Sequence, residues 1–156
     1  MTPAVHRLRD DFSLPGMRIL QWAFFDPDGR SNDLPHRHPL HAVVYPGTHD
    51  NDTVTGWHRS TSSAAKERFH SYAGEDARED PAAAMTRLAF TSPANTAIVQ
   101  MQDLLGLGRR ARMNVPGKPT GNWCWRLRRS DLGTSTARRL SRLATSTGCG
   151  RSKTNR

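Results

Sequence analysis

Residues 41–53 read HAVVYPGTHDNDT. The first five are an apolar run of strand length, rich in valine and closed by the turn pair Pro46-Gly47, so they predict a short strand buried on both faces, as in a parallel sheet. A dense polar cluster follows at once: Thr48, His49, Asp50, Asn51, Asp52 and Thr53. A surface turn needs one or two such residues, because Asp and Asn cap nearby backbone N–H groups. Six in a row at the carboxyl end of a strand mark the place where α/β folds collect ligands.

Working outward, the N-terminal side opens on Thr2-Pro3, a hydroxyl cap followed by proline at the first helical position. Val5, Leu8 and Phe12 then fall at helical spacing, and Pro15-Gly16 ends the helix. The run MRILQWAFF at 17–25 predicts a second two-face-buried strand, and 26–40 reads as loop. On the C-terminal side, Val54, Trp57, Ala64, Ala65 and Phe69 outline one interrupted helix over 53–71. Asp80-Pro81 opens a cleaner, alanine-rich helix, and AIVQM at 97–101 predicts a third strand. Residues 134–144 predict a last helix, and 146–156 read as a basic, disordered tail. Helices alternating with short apolar strands indicate an α/β fold with a parallel sheet. Three strands close no barrel, and 156 residues fall short of the about 250 of a complete (β/α)8 barrel. The chain is expected to be part of something larger.

The net charge of +9 is unevenly placed. Residues 1–108 carry ten Lys/Arg against thirteen Asp/Glu, whereas 109–156 carry thirteen against the single acid Asp131. A basic third of this kind binds polyanions through counterion release, or is simply a solvated terminus, so a nucleic-acid-binding module is the alternative function to be weighed. Cys124 and Cys149 lack the spacing of a zinc or redox pair. The N-terminus shows no apolar signal core and no run approaches a membrane span. The expectation is a soluble cytoplasmic protein without membrane contact.

Three polar clusters follow the predicted strands: GTHDND, then Gln102-Asp103, then the RMNVPG loop with Arg112 and Asn114. Each alone reads as a turn; together, at one end of consecutive strands, they point to a site. Two chemistries fit. Hard cations take carboxylate and amide oxygens, yet neighbours on an extended chain point in alternate directions, and HRHPLH at 36–41 lacks the Cys or Glu that would complete a zinc set. Polyol recognition uses planar Asp, Asn, His, Gln and Arg side chains, with Trp22, Trp57, Trp123 and Trp125 available as ring faces. A carboxylate gripping ring hydroxyls tightens as an oxocarbenium-like transition state forms, a role that suits Asp50 with His49 as second donor.

At this point the chain resembles a known family, the amylomaltases or disproportionating 4-alpha-glucanotransferases of the alpha-amylase clan. The resemblance runs from Thr2 to about Leu127 in ordered blocks: TPAVHRLRDDFSLPGMRILQWAF, LPHRHPLHAVVYPGTHDNDTVTGW, RLAFTSPANTAIVQMQDLLGLG and ARMNVPGKPTGNWCWRL. It implies the C-terminal portion of a (β/α)8 TIM barrel, about strands six to eight, with residues 1–145 as the partial domain. It implies Asp50 as the transition-state stabiliser and His49 as its neighbour on the same sugar. Asn114, Gln102, Asp103 and His36 are implied contacts to glucan. The implied activity is transfer of an α-1,4-glucan segment to the 4-hydroxyl of an acceptor, with retention and without metal or organic cofactor. The implied partners are α-1,4-glucans and maltooligosaccharides. No carboxylate here matches the family's nucleophile or acid/base, so the isolated chain is expected to be inactive. Pro46 stands where the family usually has Thr, and Cys124 where a polar residue is usual.

Overall fold

The computed structural model describes residues 2–149. Helix α1 (Pro3–Asp11) starts behind Thr2 with proline at its head, as the sequence predicts, but the Thr2 hydroxyl makes no capping hydrogen bond. Strand β1 (Gly16–Ile19) pairs in parallel with β2 (Ala42–Tyr45), Gly16 opposite Ala42 and Ile19 opposite Tyr45. Strand β3 (Thr96–Ala97) lies on the other side of β2, also parallel. The sheet order is therefore β1-β2-β3.

Two of the expected strands are shorter than their apolar runs. After Ile19 the chain turns into a single helical turn, α2 (Leu20–Ala23), so most of MRILQWAFF is not strand. The reason is in its spacing: Leu20, Ala23 and Phe24 are buried, and positions i, i+3 and i+4 share a face only in a helix. Trp22 and Phe25, off that face, are about half exposed. Likewise AIVQM gives only the short β3, and Met101 already begins the turn α6 (Met101–Leu104).

Between β2 and β3 the crossover is helical. The single helix expected over 53–71 is two, α3 (Val54–Ser60) and α4 (Ser63–Ala73). The Ser62 hydroxyl caps α4 by accepting the Ala65 N–H at 3.3 Å. Asp80 caps α5 (Pro81–Phe90) through the Ala83 N–H at 2.9 Å, again as read. These helices cover one face of the sheet, where Val44, Val54, Trp57, Phe69, Met85 and Leu88 form one apolar core with Leu20 and Phe24. Phe69 is fully buried with its ring centroid 5.1 Å from Phe24 and 5.5 Å from Trp57, edge-on in both cases, as aromatic quadrupoles prefer.

The strands are not buried on both faces. Val44 turns into the helical core, whereas Met17, Tyr45 and Ile98 line an open hollow; the sheet is half-covered. The last helix, α7 (Thr134–Ser146), is the one expected over 134–144 and runs two residues further. Most of the expected disordered tail, residues 150–156, lies outside the described residues. Among the described residues no helix is long and apolar enough to cross a membrane.

Candidate carbohydrate site at the end of strand β2

The polar cluster after β2 divides into residues that hold the loop and residues that are free. Asn51 turns back, its Oδ1 accepting both the Thr48 N–H at 2.9 Å and the Thr48 hydroxyl at 2.8 Å. Thr53 caps α3 through the Gly56 N–H at 3.1 Å. Asp52 is nearly buried, its Oδ2 on Arg109 Nε at 2.7 Å and its Oδ1 on the Thr53 N–H at 2.9 Å. Gln21, a buried polar residue of the run MRILQWAFF, donates from Nε2 to the Asp52 carbonyl at 2.8 Å. It passes so close to Gly47 that a Cβ there would lie 2.6 Å from its Nε2. Gln100 Nε2 donates to the Gly47 carbonyl at 2.8 Å. What these bonds leave unused is His49 and Asp50, whose side chains are about half exposed.

The loop beyond α6 closes on those two residues from the other side. The Asn114 N–H donates to the His49 carbonyl at 3.1 Å, and Arg112 bridges the Asp50 and Asn114 carbonyls, each at 2.7 Å. Asn114 Nδ2 donates to Asp50 Oδ1 at 2.5 Å, and His49 Nε2 stands 3.4 Å from the same oxygen. Both contacts meet on Oδ1; no described side chain engages Oδ2. The His49 ring packs at 5.0 Å against Trp123. Trp123 holds a left-handed backbone with φ of 61°, a conformation that costs a non-glycine residue about 1–2 kcal/mol and is kept by its N–H donating to the Met113 carbonyl at 2.6 Å. Asn122 braces the same loop, accepting the Val115 N–H at 2.9 Å and donating to the Lys118 carbonyl at 2.7 Å.

Together they face an open cavity of about 730 Å³ lined by His49, Asp50, Gln102, Tyr45, Trp123 and Trp125, among others. Of the residues predicted for the site, His49, Asp50 and Gln102 line this cavity, and Asn114 touches it through Asp50. Gln102 is buried, with Nε2 donating to the Ala111 carbonyl at 3.2 Å. Asp103 faces inward and is buried; burial, reinforced by Asp52 and opposed by the Val54 N–H, pushes its carboxyl up to about 6. His36 stands apart, its Nδ1 2.9 Å from the Tyr72 hydroxyl in a separate hollow with Phe24 and Arg68. Sequence reading passed over Gln21 and Gln100; an isolated glutamine inside an apolar run was the available signal.

The three histidines of HRHPLH turn to three different partners: Tyr72, Ser92 with the Asp33 carbonyl, and the Ser13 carbonyl. Burial pushes the His38 imidazole below its usual range. The described residues contain no group of three or more His, Cys, Asp or Glu placed to hold a metal ion. Several arginines of the basic third are engaged internally: Arg109 and Arg112 as above, Arg126 on the Trp123 and Trp125 carbonyls, and Arg139 on the Leu104 carbonyl.

An apolar-walled cavity with two indole faces and one braced carboxylate at its rim suits a polyol. Residues 1–132 match the family model described as 4-alpha-glucanotransferase. The 4-alpha-glucanotransferase of Thermus thermophilus is 43% identical over 155 residues, covering 94% of this chain and 31% of that protein. The chloroplastic/amyloplastic 4-alpha-glucanotransferase of Arabidopsis thaliana is 44% identical over 128 residues, 81% of this chain and 22% of that protein. Among solved structures, the amylomaltase of Streptococcus agalactiae in complex with acarbose superposes with a TM-score of 0.92 at 31% identity, over 97% of this chain and 30% of that one. The chain thus spans under a third of the length of these relatives.

Proposed function

The chain belongs to the 4-alpha-glucanotransferase family, and from that premise we propose that it supplies the stabilising side of a glucan-transfer site. In this reading a glucose ring of an α-1,4-glucan or maltooligosaccharide lies over His49 and Asp50 with Trp123 against one face. The observation that carries it is the state of Asp50: Oδ1 is held by Asn114 and faced by His49, which fixes the carboxylate and leaves Oδ2 to accept ring hydroxyls. As the bond to the leaving sugar lengthens, the ring flattens and gains positive charge, and those hydrogen bonds strengthen. The acarbose bound by the Streptococcus agalactiae amylomaltase supports a ligand of this class.

A retaining transfer needs a nucleophilic and an acid/base carboxylate about 5–5.5 Å apart. Asp50 is the one carboxylate among the cavity's described lining residues, and in this reading it serves as the stabiliser. We therefore infer that turnover requires two further carboxylates, and that β1, β2 and β3 act as strands six to eight of an eight-stranded barrel to which residues 1–145 contribute. The fit of 97% of the chain to 30% of an amylomaltase supports that assembly. The relatives named above are 4-alpha-glucanotransferases by name, and the arginines engaged internally argue against the polyanion-binding alternative.

The test is titration of the 156-residue protein with maltotetraose and with acarbose, followed by the indole resonance of Trp123 and by calorimetry. Binding that perturbs Trp123 and weakens about tenfold or more in Asp50→Asn and Asn114→Ala is expected, since each removes about 1.4 kcal/mol or more of contact. No perturbation at millimolar sugar would overturn the site, and glucose released from maltotriose by this chain alone would overturn the inferred need for further carboxylates.

A further inference from the structure

Asp103 is buried, yet it touches neither the cavity nor a counter-ion. It follows β3 on the short turn α6, and its Oδ1 accepts the Val54 N–H at 2.7 Å. Val54 is the first residue of α3, and the leading N–H groups of a helix have no partner inside it. Thr53 supplies one local cap, on Gly56; Asp103 supplies a second from 49 residues away. Its other oxygen, Oδ2, is buried without a hydrogen-bond partner among the described residues. The loop that presents His49 and Asp50 ends at Thr53, so the head of α3 is the anchor of that loop. Asp50, about half exposed, is held directly by Asn114 and Arg112 and, through the chain, by the head of α3.

The charged groups around Asp103 are few. Asp52 faces it from the loop and disfavours its ionised form. Arg109, from the turn Arg109–Ala111, is engaged by Asp52 Oδ2. From α7, Arg139 donates to the carbonyl of Leu104, the next residue.

We propose that Asp103 is a positioning residue for the sugar site: its carboxylate grips the head of α3, sets where the His49–Asp50 loop stands, and slackens when it takes up a proton. Ionised, Oδ1 makes a charge-assisted bond to the Val54 N–H at a helix N-terminus, the stronger kind. Neutral, it makes an ordinary one. With burial holding the group up to about 6, the change falls in mildly acidic solution. The role rests on the glucan reading of the cavity for its functional meaning, but not for its geometry.

The experiment follows backbone amides of the 156-residue protein by NMR from pH 4.5 to 8, in wild type, Asp103→Asn and Asp52→Asn. Val54, Asp50 and the Asn114 side-chain amide should share a titration component near pH 6 that disappears in D103N and moves to lower pH in D52N. His49, which stands beside Asp50 Oδ1, is separated by that same comparison. Maltotetraose affinity is measured alongside: D103L, which removes the acceptor, should weaken it about tenfold, with D103N recovering most of the loss. A component that moves Val54 but leaves Asp50 and Asn114 unchanged overturns the proposal. So does a folded D103L that binds as wild type, or a component that persists in D103N. Should wild type bind no sugar while the loop titrates with Asp103, the glucan reading falls and the positioning role stands. If D103L does not fold, the titration in D103N decides alone.

Discussion

Replacing Gly56 by alanine should lower the melting temperature, although the same change in an ordinary helix interior raises it. The ordinary gain is about 1 kcal/mol, the difference in helix propensity. Here a Cβ would lie 2.3 Å from Asp52 Oδ1, 2.6 Å from its Cγ and 2.8 Å from its Oδ2. The carboxylate cannot step aside freely, because the Asp52 side chain is only 8% exposed and is tied to Arg109 and to the Thr53 N–H. Overpacking of this kind costs about 1–3 kcal/mol. Arg109 is largely solvent-exposed, so loss of its ion pair adds at most about 1 kcal/mol. Set against the propensity gain, the net loss is about 2 kcal/mol, which for a chain of this length is a fall of about 4–8 °C in Tm. Melting curves of wild type, G56A, D52A and G56A/D52A form a cycle. Removing the carboxylate first vacates the space, so alanine at 56 should cost little or nothing in the D52A background. A G56A protein that melts at or above wild type refutes the reasoning, as does an equal penalty in both backgrounds.

Two further outcomes are expected. Phe69→Ala, at the centre of the aromatic cluster with Phe24 and Trp57, should cost about 3–5 kcal/mol, read as a shift in the urea midpoint at unchanged slope. The second concerns His58, whose Nε2 lies 2.8 Å from His70 Nε2; burial first, then His70 and Lys66, push its imidazole below the usual range. The unfolded imidazole titrates at about 6.5, so below that pH the unfolded chain binds the extra proton and stability falls as the solution is acidified through the folded value. Asp103 acts in the opposite sense, its raised carboxyl eroding stability as pH rises from about 4 to about 6. The difference in urea midpoint between wild type and His58→Phe isolates the histidine contribution: it should be constant above pH 7.5 and shift towards a less stable wild type as the solution is acidified below about 6.5. A difference that is the same at pH 5.5 and 7.5 would disprove it.

Where the sequence carries local chemistry, it reads directly into this fold. Thr2-Pro3 and Asp80-Pro81 start helices because proline geometry, and at Asp80 the carboxylate cap, depend on a handful of neighbours. The strand read at 41–45 is Ala42–Tyr45 because its punctuation, Pro46-Gly47, is also local. MRILQWAFF misleads because a two-face-buried strand and a buried helical turn share the same composition; only the i, i+3, i+4 placing of Leu20, Ala23 and Phe24 separates them. In the site, the polar cluster after β2 was visible, but its division into bracing and free residues was not. That division depends on Gln21, Arg109 and Asn114, which reach the loop from 31, 57 and 64 residues away, and sequence spacing carries no record of such meetings. Asp103 shows the same limit: its position beside Gln102 suggests a place in the cavity wall, while its fold-level task is to cap a helix.

The outer edge of β1, covered only where Asp33 accepts the Ile19 N–H at 3.0 Å, bears on how this chain meets other polypeptides. Among the described residues β1 has β2 as its only strand neighbour, and Phe12, Leu14, Met17, Trp22 and Phe25 are exposed around it. Backbone hydrogen bonding is indifferent to side chains, so such an edge accepts an extended strand from almost any source. Selectivity at this seam must then come from those few greasy side chains, which reward burial but discriminate poorly. A rightful complement wins there by being tethered or abundant rather than by being recognised. Without one, the chain's most available companion is another copy of itself, and its solubility becomes a question of concentration.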